Sequence, residues 1–168
     1  MGITIHFEGK LKNNENFDLL IRKVIEFSQF ENWEYFQFEN DNKILERVRN
    51  DEDWDYEGLT KGIQVQPHEN SEPLNFEFDK DLYIQEYCKT QFAEIETHLK
   101  IIELIKVIQD NFETLKIFDE GEFWETNDIN LLKEHWENFY IAMNEAIEEN
   151  NELQGPFKME NGRIIDLM

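Results

Sequence analysis

The sequence predicts an α+β fold, with one mostly antiparallel or mixed sheet and two to three long helices packed on one of its faces. Three observations carry this. Ile3, Ile5 and Phe7 alternate with Thr4, His6 and Glu8, the period-two pattern of a strand with one buried face. Two long stretches instead repeat apolar residues at helical spacing. The strand patterns precede and follow the helices and are joined by short turn signals, which favours hairpins over the crossovers of a parallel sheet.

The first strand ends in the turn Gly9 to Asn14, and a helix follows to about Phe30 with Phe17, Leu20, Ile21, Val24 and Phe27 on its inner stripe. Asn14 or Asn16 can cap it. Trp33 to Phe38 is aromatic-rich and reads as a second strand, and Ile44 to Val48 as a short helix. Asp51 to Gly58 places five acids in seven residues and reads as an exposed loop anchored by Trp54 and Tyr56. Leu59 to Gln66 and Leu74 to Phe78 alternate as strands on either side of the turn-forming segment PHENSEP. Asp79-Lys80-Asp81 turns the chain into a further strand at Leu82 to Ile84.

The stretch Lys89 to Asp128 is central. Ile95, Leu99, Ile102, Ile105, Ile108 and Phe112 share one face of a helix about five turns long at ~3.6 residues per turn. Leu115 to Phe118 and Glu122 to Glu125 flank Asp119-Glu120-Gly121 as a hairpin. Asp128 caps a last helix that ends at Gly155-Pro156, and Ile164 with Ile165 forms a short edge strand. The expected inner set of the sheet is Ile3, Ile5, Phe7, Ile63, Val65, Phe76 and Phe78. The expected outer set is Thr4, His6, Glu8, Gln64, Gln66, Asn75, Glu77 and Asp79, a polar surface open for binding.

A chain of 168 residues with 14 phenylalanines supports one domain over residues 1–168, despite a mean hydropathy of -0.69. The charge is its most pronounced feature: 38 acidic residues against 16 basic ones give a formal net charge of -22. Such a surface repels a phosphate backbone and an anionic bilayer, so neither nucleic acid nor membrane is an expected partner. It favours solubility and steered encounter with a basic protein. A single cysteine, Cys88, leaves no intramolecular disulfide and fits the cytoplasm. The amino terminus lacks the basic and apolar regions of a secretory signal, and no apolar run reaches the ~20 residues of a membrane span.

Candidate chemistry is sparse. Glu94 and His98 lie four apart on the central helix, so their side chains share a face. With Asp119, Glu120 and Glu122 they are a candidate set for a divalent metal and for a metal-dependent hydrolase centred on His98. The second histidine of a zinc helix is missing. Cys88 reads as a small buried apolar residue, and Thr90 as a helix start. No phosphate-binding or dinucleotide loop occurs. The candidate binding residues are Asp51, Glu52, Asp53, Trp54 and Asp55 in the acidic segment, Trp124 beside its glycine turn, and Glu148 and Glu149. These last two sit with Glu145 and Glu152 where the helix dipole prefers cations.

Three motifs occur together: GITIHFEGKL at the amino terminus, KTQFA followed by His98, and DEGEFWET. In this order they resemble a family of uncharacterised bacterial proteins. The family pattern has Gly-Pro after KTQFA and Gly after WET; here Glu94-Ile95 and Asn127 stand instead. The resemblance implies a bacterial cytosolic protein and no mechanism. The residues therefore point to an acidic, non-catalytic binding protein, an inhibitor or immunity-type partner of a basic protein, with the metal-dependent hydrolase as the alternative.

Overall fold

A computed structural model describes residues 2–168. In chain order the elements are β1 (Thr4–Leu11), α1 (Asn14–Glu31), β2 (Glu34–Leu45), β3 (Val48–Arg49), β4 (Glu52–Asp53), β5 (Tyr56–Gln66), β6 (Leu74–Phe78) and β7 (Tyr83–Lys89). Then follow α2 (Ile95–Ile108), a single 3₁₀ turn (Gln109–Asn111), β8 (Phe112–Asp119), α3 (Phe123–Thr126), α4 (Ile129–Glu149), β9 (Phe157–Lys158) and β10 (Ile164–Ile165).

The fold is α+β, but the strands do not form the expected single sheet. β7-β1-β8 and β2-β5-β6 are separate three-stranded antiparallel sheets, and β3-β4 and β9-β10 are small hairpins. β6 and β7 follow one another across a tight turn without forming a ladder. Two main-chain bonds join their flanks, Asp79 N–H to Tyr83 O and Glu72 N–H to Lys89 O, both 3.0 Å. At the far end of β7 the buried side chain of Glu72 accepts from Lys89 N at 3.0 Å and from Ile164 N at 2.9 Å. A buried carboxylate thus satisfies main-chain donors from two segments.

All seven residues of the expected inner set are buried, and six of them share one core with α1 and α2. Ile3 belongs to a second cluster with Leu132, Trp136 and Phe139 of α4. Ile102 is 1% exposed in α2. Its replacement by alanine is expected to cost ~2–5 kcal/mol in urea titration, and a loss below ~0.5 kcal/mol would contradict this packing.

Several local readings are corrected. Asn13, not Asn14 or Asn16, caps α1, its Oδ1 accepting from Asn16 N at 2.9 Å. The segment read as a short helix near Ile44 to Val48 is the end of β2 and the start of a hairpin. Asp51 to Gly58 is not a loop: Asn50 and Asp51, with φ of 51° and 61°, make the tight turn between β3 and β4, the backbone twist that two-residue hairpins need. α2 ends at Ile108, four residues before Phe112, where the Asn111 side chain donates to Ile108 O at 3.1 Å and occupies a carbonyl left free at the helix end.

The hairpin expected around Gly121 is instead a strand running into a short helix. Asp119 accepts from the N–H groups of Gly121 (2.8 Å), Phe123 and Trp124 (both 3.0 Å), which starts α3. A Cβ on Gly121 would lie 2.5 Å from Leu132 Cδ1, so a side chain here would force Leu132 of α4 to shift. No helix among the described residues is long and apolar enough to cross a membrane.

Candidate functional site

The expected metal set separates into three histidine–carboxylate pairs. Asp119 meets His98, with Nε2 3.1 Å from Oδ1 and 3.2 Å from Oδ2. Glu120 meets His6 of β1 at 3.2 Å, and Glu122 meets His135 of α4 at 2.6 Å. Glu94 is exposed at the N-cap of α2 without a side-chain capping bond. Successive residues after β8 point to different sides of the chain, so the five do not converge on one point. Among the described residues no three histidine, cysteine, aspartate or glutamate side chains are grouped to hold an ion.

Around His98 lies a hydroxyl–imidazole–carboxylate chain. Thr90 Oγ1 is 2.8 Å from His98 Nδ1 and 3.0 Å from Ile3 O. The hydroxyl has one proton. Given to Ile3, it leaves Nδ1 to donate and the ring carries protons on both nitrogens. Given to Nδ1, it leaves a neutral ring. In both states Nε2–H faces Asp119. Burial pushes the Asp119 pKa up, but the bond and charge of His98 together with the backbone N–H groups outweigh it and hold the pKa below the usual carboxylate value. The order Thr-His-Asp imitates a nucleophile, a base and its orienter. Yet Thr90 and His98 are 0% exposed and Asp119 is 1%, so no substrate reaches the hydroxyl. Thr90, read as a helix start, is a buried cross-link, and Trp136 covers the imidazole edge-on at 6.0 Å. Cys88 is buried as expected, and burial pushes its thiol up out of the reactive range.

The outer face of β7-β1-β8 is different. A groove of about 1020 Å³ crosses it, walled by residues around β3 and by the C-terminal hairpin. The strand register places Tyr87, His6 and Phe118 side by side on the three strands, with ring centroids 5.9 Å and 5.6 Å apart. Gln85, Glu8 and Lys116 form the next row. Burial raises the Glu120 pKa, but the bond and charge of His6 and the Thr4 main-chain N–H more than compensate and hold it low.

Both walls are fastened by arginine. Arg47, 4% exposed, donates to Asp79 Oδ2 at 2.9 Å and to Tyr83 O at 3.1 Å. Its guanidinium carbon lies 4.8 Å from the Tyr83 ring centroid. Burial, then the neighbouring Glu8 carboxylate, pushes the Tyr83 phenol up to about 12, so it stays protonated. The Gln85 side-chain amide accepts from Val48 N and donates to Val48 O, at 2.9 Å each. On the other side Arg163 reaches Glu86 at 2.8 Å and Glu72 at 3.2 Å, and stacks 3.9 Å from the centroid of Tyr87. Burial raises the Glu86 pKa, and the charge and bond of Arg163 only partly offset this.

The expected binding residues fall in three places. Asp51, Glu52 and Asp53 are exposed on the hairpin beside the groove. Trp54 is half-buried beneath Arg49, whose guanidinium carbon is 3.5 Å from its centroid, and Asp55 accepts from Arg47 N at 3.1 Å. Trp124 is half-buried against the main core, and Glu148 and Glu149 are exposed at the end of α4, whose last turn has no basic residue. Of the expected outer set, His6 and Glu8 line the groove, whereas Thr4, Glu77 and Asp79 are buried in polar bonds. Sequence reading missed Arg47, Tyr87, Phe118 and Arg163. A signal existed for two of them: Tyr87 and Phe118 lie on strands whose opposite faces are apolar. Comparison of the chain with protein-family models, curated proteins and solved structures finds no match.

Proposed function

We propose that the protein is a non-catalytic binding protein that engages a basic protein partner through the acidic hairpin and the groove beside it. The observation that carries this reading is the mounting of the hairpin. Asp51, Glu52 and Asp53 stand exposed on a two-stranded tip whose base is fixed by Arg47, Gln85 and Trp54. Rigidly held like charges raise the cost of the free state and favour a cationic partner. The hydroxyl–imidazole–carboxylate chain around His98 is sealed in the interior, which argues against the hydrolase centred on His98. A single buried thiol supports a reducing cytoplasm as the place of action.

Association of this kind is fast at low salt and weakens as ions screen it, since the Debye length falls from ~10 Å at 0.1 M to ~3 Å at 1 M. The test is capture from the native cytosol at both salts, by wild type and by a variant with Asp51 and Asp53 changed to Asn, Glu52 to Gln, and Asp55 to Asn. The expected result is a basic protein retained by wild type at low salt, lost at high salt, and lost by the variant. Recovery of the same proteins by both forms at both salts would overturn the reading.

A further inference from the structure

The last helix, α4, spends little of its length on the core. Of its 21 residues Leu132, Trp136 and Phe139 are buried, and they pack with Ile3 and the partly buried Phe92 and Leu99. Beside that stripe runs a ridge of exposed residues, Ile129, Lys133, Glu137 and Ile141, each four after the last and so stacked along one side of the helix. Ile141 is 55% exposed and Ile129 40%. An open hollow of about 530 Å³ follows the ridge, lined by Ile95, Trp136 and Tyr140 together with Lys133, Glu137 and Ile141.

The ridge is complementary to itself. When two copies of α4 run antiparallel about a two-fold axis level with residue 135, Ile129 of one copy meets Ile141 of the other and Lys133 meets Glu137, each contact occurring twice. Lys133 and Glu137 are both free to make that contact. The ion pair of α4 among the described residues is His135 with Glu122, off the ridge. Within one copy the lysine precedes the glutamate, the weaker order for a pair four apart on a helix. A helix of another protein would match this pattern by coincidence, whereas a second copy matches it by symmetry.

We propose that the protein forms a homodimer through α4, the ridge of each copy lying in the hollow of the other. This goes beyond the reading of the protein as a binder of basic partners and uses none of the hairpin acids. Ridges of this kind interdigitate at about −50°, so the two helices touch over their middle turns and diverge towards Glu145, Glu148 and Glu149. A single helix pair belongs with the small interfaces, below ~1,200 Å², and each copy carries a formal charge of -22. The dimer is therefore weak at low salt. Added salt screens the long-range repulsion more than the central pairs, which are covered by the contact, and strengthens it. A basic partner responds to salt in the opposite direction.

Sedimentation velocity of the full chain, over a concentration series at low and high salt, reads the association. The dimer is expected to grow with concentration and with salt. Lys133→Glu is expected to weaken association about tenfold or more, because it sets like charges face to face. Glu137→Lys is expected to weaken it as much although it lowers the net negative charge, which separates the pair from bulk repulsion. The two exchanges together are expected to restore the dimer, since opposite charges again meet across the axis. Both positions are exposed, so unchanged helical content and melting temperature verify that each variant folds. A wild type that stays monomeric throughout the series at high salt would overturn the dimer. So would single exchanges that associate like wild type, or a double exchange that recovers nothing.

Discussion

Replacing Asp119 with alanine is expected to cost about 3–5 kcal/mol of folding stability, the loss usual when one partner is removed from a buried ion pair or its equivalent. The carboxylate accepts three backbone N–H groups and faces His98, and its removal leaves them without this partner, with Gly121 N–H and His98 buried away from water. Asp119→Asn keeps the shape but offers an amide where only acceptors fit, so it is expected to recover part of the loss. Urea titration at neutral pH measures both, and a cost below ~1 kcal/mol for alanine would show that the turn is held by something else.

The same residue makes a prediction in acid. The folded pKa of Asp119 lies below its unfolded value, so the folded state binds the proton less readily. Its contribution is present above the unfolded value, near ~3.9, and is lost as pH falls through the lower folded one. Glu120 acts in the same direction. Glu86 acts in the opposite one: its raised pKa favours the folded state at low pH, and this advantage fades as pH rises through its folded value. The alanine variant at position 119 is therefore expected to lose stability less steeply than wild type below about pH 4.

Much of the fold was legible because its signals are local. The inner set of β1, β5 and β6 follows from alternation alone, and α1, α2 and α4 from apolar spacing with Asp128 as a clear cap. The division into two sheets was not legible. It is a matter of which edges pair over long range, and the one buried acid at that junction, Glu72, whose carboxylate occupies main-chain donors from two distant segments, has nothing local to distinguish it from a solvated acid. The hairpin β3-β4 had a signal in Asn50-Asp51, residue types that tolerate positive φ, but the density of acids around them suggested a loop.

The site was legible in outline only. Charge singled out the hairpin acids, yet the pairing of Asp119, Glu120 and Glu122 with three different histidines follows from the direction of the chain after β8, where the main-chain turn rotates each side chain away from the last. Proximity in sequence suggested convergence, and the turn produces divergence. The groove depends on register between β7, β1 and β8, strands separated by most of the chain, and on arginines that read as isolated surface charges until their aromatic neighbours are in place.

Arg47→Met is the second large expected effect, at about 3–5 kcal/mol. Methionine retains the apolar stem that packs among Trp54, Tyr56 and Tyr83, so the loss isolates the charge. Without the guanidinium, Asp79 Oδ2 loses its cation while Oδ1 still accepts from Asp81 N at 2.8 Å and Tyr83 N at 3.0 Å. A carboxylate 6% exposed is then left uncompensated beneath the hairpin. Pairing Arg47→Met with Asp79→Asn is expected to restore part of the stability, because the two groups are directly coupled. The functional consequence follows from what Arg47 fastens. Freed from Asp79 and Tyr83, the segment 46–55 gains mobility, and limited proteolysis is expected to cut it in the variant well before wild type. The four hairpin acids remain present in the variant but are no longer held in place, so affinity for nona-lysine is expected to fall although the net charge becomes more negative. A variant that binds more tightly in proportion to its added negative charge would show that total charge, and not the rigid placement of the hairpin, governs binding.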